Sequence, residues 1–186
     1  MTDIPPMLTV TTEDHHDVVM VRHFDARPAL VWLAFTQAEH MAQWWGPSTF
    51  TARAEMDVRP GGAYVIDMIG PDGSVSPMKG RYIEVIEPKR LVFDFDISEH
   101  GPAFNRMLRE TYIACGGGAD DPLGTCNTIT VTFEDEGHGT RLTFRQGLAT
   151  AAERDAYVKM GTAEGYAESC LKLDKLLASM QLFFHG

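Results

Sequence analysis

The sequence has little of several features that would decide its class at once. It contains only three cysteines in 186 residues. Because Cys115, Cys126 and Cys170 show no CxxC spacing, we expect reduced thiols rather than a disulfide framework. Its 16 basic residues are outnumbered by 26 acidic ones, the formal net charge is −10, and no segment gathers Lys and Arg into a stripe. Nucleic acid is therefore not expected as a partner.

Membrane, secretion and catalytic signals are missing too. No run approaches the roughly 20 apolar residues that cross a bilayer, and the first residues, MTDIPPMLTV, lack a basic region followed by an apolar one. We therefore expect a cytoplasmic protein without a membrane span. There is no GxSxG elbow, no cysteine beside a recognisable base and no His or Cys cluster at ligand spacing. The sequence thus predicts no catalytic residue, no metal and no cofactor.

What is present is the composition of an ordinary globular domain. Hydrophobic residues make up 44% and charged residues 23% of the chain, both near the globular average. A chain of 186 residues is long enough to bury a sizeable core. Neither an internal repeat nor a linker divides it, so we expect one domain over residues 1–186.

Alternating apolar and polar residues predict about seven strands. The first, at 17–26, has Val19, Val21 and His23 on one side of the alternating pattern. Between it and the second strand, Pro28 and helical spacing predict two short helices that end before Gly46. The remaining strands are predicted at 52–58, 64–68, 78–86, 91–97, 129–133 and 142–144.

Two further segments follow a helical period. From Ala151 to Met180 there is no proline, and the apolar spacing predicts one long terminal helix packed on the sheet. Residues 99–125 form an unusually long connection, in which the apolar spacing over 103–113 predicts a short amphipathic helix. We expect it to act as a lid on a cavity, with a dimer arm and a poorly ordered loop as the alternatives.

This order of elements and several sequence motifs resemble the START-like (SRPBCC) superfamily. Within it, the match is to the branch named after the activator of heat-shock-protein ATPase. The residues that carry the resemblance span most of the chain: FDARPALVWLAFT at 24–36, EHMAQWWGP at 39–47, EMDVRPGGAY at 55–64, GRYIEVIEPKRLVF at 80–93 and MGTAEGYAESCLKL at 160–173. Two features differ from the family pattern. Residues 99–125 are longer than the usual connection, and Tyr166 stands where many relatives have tryptophan.

The resemblance implies an α+β helix-grip fold, in which a curved antiparallel sheet of about seven strands surrounds a long C-terminal helix. It also implies a soluble binding protein that holds a small apolar or aromatic molecule in a hydrophobic cavity between sheet and helix. An enzyme of the cyclase, dehydratase or hydrolase type stays open as an alternative, with Glu164 and Tyr82 as its first candidate catalytic residues. A heat-shock ATPase co-chaperone and a homodimer stay open as well.

The candidate pocket residues are the aromatic side of the sheet and the helical residues opposite it. For the sheet residues, a filled core is the alternative. Trp44 and Trp45 point roughly 100° apart on a helix, so either Trp45 faces the cavity mouth or both cap the core. Glu164 either enters the cavity or is exposed. The full set is Trp45, Tyr64, Ile66, Met68, Tyr82, Phe93, Phe95, Phe104, Met107, Met160, Glu164 and Ala167.

Overall fold

The computed structural model describes residues 8–11 and 16–184. Its centre is a single antiparallel sheet of eight strands in the order β1-β2-β8-β7-β6-β5-β4-β3. The strands are β1 (Leu8–Thr11), β2 (Val18–Phe24), β3 (Thr51–Met56), β4 (Ala63–Ile69), β5 (Val75–Ile86), β6 (Arg90–Asp96), β7 (Cys126–Asp135) and β8 (Thr140–Gly147). Together with the helices below, they confirm the predicted α+β helix-grip fold.

The strand β1 was not predicted. It has only four residues, which is too few to show a period of two in the sequence. It pairs with the edge of β2, Leu8 opposite Arg22 and Thr11 opposite Val19. The expectation of no secretion signal rests on residues 1–10, of which residues 1–7 lie outside the described residues.

Helices cover the concave face of the sheet. The predicted helical pair is confirmed as α1 and α2, which pack on β7, on β3 and on the terminal helix. The connection between β6 and β7 contains the predicted amphipathic helix, α3. In the part of the chain that the structure describes, the helices are α1 (Pro28–Thr36), α2 (Ala38–Trp44), α3 (Pro102–Ala114), α4 (Ala151–Lys159) and α5 (Thr162–Phe184).

The predicted long terminal helix is confirmed as α5, but it begins at Thr162 and not at Ala151, because a separate helix, α4, ends before Gly161. Gly161 has φ +87°, a left-handed conformation that glycine adopts without the steric cost that a Cβ brings. Thr150 caps the start of α4, because its hydroxyl accepts a hydrogen bond from the Glu153 amide at 3.1 Å. The Glu153 carboxylate accepts in turn from the amides of Ala149, at 2.8 Å, and Gly124, at 3.0 Å. Glu153 therefore ties the long connection to α4.

The inward face of β2 differs from the row that the sequence emphasised. Val19, Val21 and His23 form the outer face, and the concave face carries Val18, Met20, Arg22 and Phe24. An arginine in the inward row interrupts the apolar alternation, so the pattern did not identify that row. Among residues 8–11 and 16–184, no helix is both long and apolar enough to cross a membrane.

Candidate functional site

A cavity of about 200 Å³ lies between one half of the concave face and the α4–α5 junction, and it is partly open to solvent. The sheet forms its floor, the break between α4 and α5 forms its roof, and the segments after α2 and before α3 form its mouth. Its lining is predominantly apolar. The lining residues are Met20, Trp45, Gly46, Pro47, Met68, Met78, Phe95, Ile97, His100, Phe104, Ile129, Phe144, Gln146, Tyr157, Met160, Gly161, Thr162, Gly165, Tyr166 and Ser169.

The roof is open because two of its positions are glycines. A Cβ placed on Gly165 would meet no atom within 4 Å, apart from the backbone of its own helix. Gly161 makes the break that separates α4 from α5, and a Cβ there would lie 3.7 Å from Glu164 Oε2. The cavity thus exists where the sequence supplies no side chain to fill the space under the helix.

Trp44 and Trp45 have different positions, one in the core and the other at the cavity. Trp44 is fully buried and donates its Nε1–H to the Ala34 carbonyl at 2.9 Å. Trp45 lines the cavity and donates its Nε1–H to Met78 Sδ at 3.2 Å. One tryptophan therefore packs the core, while the next forms part of the cavity wall.

The wall next to Trp45 is held by two side chains of α5 that lie one turn apart. Lys172 Nζ donates to the carbonyls of Trp45, Pro47 and Phe50, each at 3.3 Å. Glu168 Oε2 accepts from the Ser48 amide at 2.7 Å. Burial lowers the pKa of Lys172, and the hydrogen bonds from Ser48 lower the pKa of Glu168. The pair fixes the segment after α2 against α5 and so fixes one side of the mouth.

Some polar side chains of the lining have hydrogen-bond partners within the protein, and others do not. The Ser169 hydroxyl donates to the Gly165 carbonyl at 3.0 Å, and the Tyr157 hydroxyl accepts from Asn127 at 3.2 Å. The amide of Gln146 has no hydrogen-bond partner among the described residues, although only 2% of this residue is exposed. Buried side-chain amides are rarely left unpaired. The Gln146 amide is therefore available to a molecule in the cavity.

His100 stands at the mouth of the cavity. Its ring lies edge-on to Phe104 with the centroids 4.9 Å apart. Its Nε2 is buried and has no partner among the described residues. Burial lowers the pKa of His100 and raises the pKa of Tyr157 to about 12, so both side chains are neutral near pH 7. Within the described part of the chain, no Asp, Glu, Lys or Arg lines the cavity.

A buried charge lies behind the cavity wall. Arg22 is 1% exposed and donates to the Asp174 carboxylate, while its Nε and Nη1 have no partner among the described residues. Tyr166 stands between Arg22 and the cavity. Its ring packs on Phe144 at 4.8 Å, and its buried hydroxyl also lacks a partner in the described chain. Burial, with the Cys170 thiol close by, raises the pKa of Tyr166 well above its ordinary value.

The other half of the concave face is filled. Only a void of about 10 Å³ remains there, which is too small for a ligand. Four predicted pocket residues, Tyr64, Ile66, Tyr82 and Phe93, line this void and form core instead. Tyr64 packs on Phe93 at 5.6 Å and on Tyr82 at 5.5 Å, and burial raises the pKa of both tyrosines.

The remaining predicted residues separate into two groups. Trp45, Met68, Phe95, Phe104 and Met160 line the cavity. Ala167 is buried but lies outside the lining, and Met107 is 49% exposed, which corrects both predictions. In α3 the residues at 104, 108 and 112 form the inward stripe, so Met107 lies roughly 100° away from it. Glu164 is half-buried and lies outside the lining, so Glu164 and Tyr82 do not meet at the cavity.

Sequence reasoning missed Gln146, His100, Tyr157 and Ser169. For Gln146 a signal existed, because Leu142, Phe144 and Gln146 alternate in phase on β8, which places the amide on the inward face. His100 lies in a turn, where periodicity carries no information. The break at Gly161 sets which face of α5 meets the cavity. Tyr157 and Ser169 could not be predicted as lining residues without knowledge of that break.

Comparison with known structures supports the fold. The chain is similar to an NMR structure from Arthrobacter aurescens, with 24% identity, 93% of this chain and 92% of that chain covered, and a TM-score of 0.73. A crystal structure from Mycobacterium smegmatis shares 25% identity over 91% and 96% of the two chains, with a TM-score of 0.70. A Rhodobacter sphaeroides protein shares 21% identity over 92% and 99%, with a TM-score of 0.75. No curated protein matches the sequence.

The family model described as "Activator of Hsp90 ATPase homolog 1-like protein" matches residues 25–178. The match runs from the end of β2 through most of α5, and so includes every strand and helix that lines the cavity except β2. The chain therefore belongs to the family of Activator of Hsp90 ATPase homolog 1-like proteins.

Proposed function

We propose that the protein binds one small apolar or aromatic molecule in the cavity between the sheet and the α4–α5 junction. The observation that carries the proposal is a cavity of about 200 Å³ with a predominantly apolar lining, in an interior whose other half is filled. Engineered apolar cavities of about 150 Å³ already admit benzene. A molecule of one or two rings therefore matches this volume.

The mouth supports the same proposal. Phe104, at the start of α3, lines the cavity, whereas Leu108 and Tyr112 are buried further along the same helix. The C-terminal end of α3 is fixed, because the Tyr112 hydroxyl bonds Asp121 at 3.0 Å and Arg109 bonds the Asp121 carbonyl at 2.7 Å. A lid that opens at the Gly101 end and stays anchored at the other end suits this arrangement. That α3 acts as a lid, or as a dimer arm through its exposed Met107, stays a prediction.

The test uses indene, a neutral bicyclic hydrocarbon, and the variant Gly165→Leu. The leucine should fill the cavity from the roof and abolish binding, while the fold keeps its stability because glycine is a poor helix former. Binding is measured by ligand-observed NMR, and unfolding by thermal melts with and without indene. Ala178→Leu, on the exposed face of the same helix, is the matched control and should bind like the original protein.

Two results decide the test. Binding to the original protein and to Ala178→Leu, with loss in Gly165→Leu, supports a ligand in this cavity. Absence of binding to the original protein, or unchanged binding to Gly165→Leu, contradicts it.

Location in the cytoplasm, a single domain over residues 1–186, a homodimer and a chaperone partner stay predictions.

A further inference from the structure

We propose that the ligand is a neutral ring compound carrying a carbonyl or amide group, and that the Gln146 side chain recognises that group. The inference rests on the proposed function, because it names the chemistry of the molecule held in the same cavity. It goes further, since a purely hydrocarbon ligand would leave the Gln146 amide without a partner.

Gln146 is placed to recognise a ligand. It lies on the inward face of β8, with its backbone paired to Val18 on one side and to Ile129 on the other. These ladders fix the backbone and leave only the side chain to turn. The side chain lines the cavity, the residue is 2% exposed, and no other described residue bonds its amide. A side-chain amide offers two donors and an acceptor, and in an apolar cavity those demands are met by a ligand or by water.

The surroundings favour a neutral ligand. No acidic or basic side chain within residues 8–11 and 16–184 lines the cavity, apart from His100 and the tyrosines, which carry no charge near neutral pH. Arg22, which is buried behind Tyr166, is engaged by Asp174. A charged ligand would therefore be desolvated without a counter-ion, which is strongly unfavourable. A carbonyl or amide would meet the Gln146 amide at much lower cost.

The other polar side chains of the lining lie on α4, on α5 or at the mouth, and not on the sheet. The Ser169 hydroxyl donates to its own helix, and the Tyr157 hydroxyl is already bonded by Asn127. The free Nε2 of His100 lies at the mouth, beside Phe104. Among the described strand residues that line the cavity, Gln146 is the one with a polar side chain.

The experiment compares 1-indanone with indene, two bicyclic molecules of nearly equal shape that differ in a carbonyl group. The original protein should bind 1-indanone about tenfold more tightly, which corresponds to one well-formed hydrogen bond. In Gln146→Leu this preference should vanish, while the affinity for indene is kept or rises. Thr143→Val, on the outer face of the same strand, is the control and should keep the preference.

A second readout separates recognition from a structural role. Because Gln146→Leu replaces an amide that has no protein partner by an apolar side chain in an apolar cavity, the ligand-free variant should melt about 2–4 °C higher. A higher melting temperature with a lost preference for the carbonyl supports the inference. Equal affinity of the original protein for both probes, or an unchanged preference in Gln146→Leu, overturns the inference but leaves the proposed function standing. If neither probe binds, the proposed function fails as well.

Discussion

The two halves of the concave face share the strands β4, β5 and β6, yet one half is filled and the other holds a cavity. On β6, Phe93 and Phe95 point to the same side of the sheet, two residues apart. Phe93 is packed between Tyr64 and Tyr82, with centroid distances of 5.6 and 5.9 Å. Phe95 borders the cavity of about 200 Å³. The position of the cavity is therefore not set by the sheet. It is set by the helices that pack on the concave face.

Above the filled half, α1 and α2 bring large side chains down onto the sheet. Phe35, Met41 and Trp45 reach the small void there. Above the open half, the α4–α5 junction presents Gly161 and Gly165 instead. Packed interiors rarely keep voids of this size, and the open half is where the proposed function places the ligand.

The neighbouring phenylalanines test this comparison most strongly. Phe93→Ala should lower the free energy of unfolding by about 3–5 kcal/mol, because it empties a close-packed site. Phe95→Ala should cost only about 1–2 kcal/mol, since one side of its ring already faces unfilled space. Chemical denaturation of both variants measures the difference. Equal losses would mean that the two halves are packed alike.

Arg22 is buried behind the wall of the open half, and Asp174 is its hydrogen-bond partner among the described residues. Asp174→Ala should destabilise the fold by about 3 kcal/mol, because it leaves a buried guanidinium without a counter-ion. This figure is at the low end of the usual range, since the Asp174 side chain is 36% exposed and water replaces part of the interaction. Equilibrium denaturation is the measurement.

Two controls sharpen the Arg22 prediction. Replacing both partners, as Arg22→Met with Asp174→Leu, should recover most of the loss, because no unpaired charge is left inside. Glu84→Ala breaks an exposed pair with Arg90 and should cost less than about 1 kcal/mol. If the double variant is as unstable as Asp174→Ala, the ion pair itself stabilises the fold.

The smallest effect concerns pH and the mouth of the cavity. The unfolded chain protonates His100 near its ordinary pKa of 6.5, whereas burial lowers the pKa in the folded chain. The unfolded state therefore binds more protons below pH 6.5, and the unfolding free energy falls as the pH drops through this value until the folded pKa is passed. His100→Leu should show a shallower fall in denaturation curves taken from pH 7.5 to 5. An identical slope in both proteins would contradict the burial of His100.

Much of the fold could be predicted from the sequence, because its elements carry regular signals. Alternation located the strands from β3 to β8, and Pro28 with Gly46 bounded the first two helices. The signal failed where one residue breaks the period. Arg22 interrupts the inward row of β2, and Gly161 divides a helix whose apolar spacing continues across the break.

The site was predicted less well, for a physical reason. Periodicity shows which face of a strand is inward, and it placed both Phe93 and Phe95 there. Whether an inward residue packs or borders a cavity depends on what lies opposite, which the sequence of the strand does not contain. Gln146 was in phase with Phe144 and was still missed, because inward positions were sought among apolar and aromatic residues.

The most direct test of a ligand site in the open half is a crystal structure of the protein with 1-indanone. We predict one ring system in the cavity, packed between Phe144 and Met68, with its carbonyl oxygen within hydrogen-bond distance of Gln146 Nε2. The half that contains Phe93 should stay unchanged. A cavity that holds only water at saturating 1-indanone, or a ligand bound elsewhere on the molecule, would contradict the proposal.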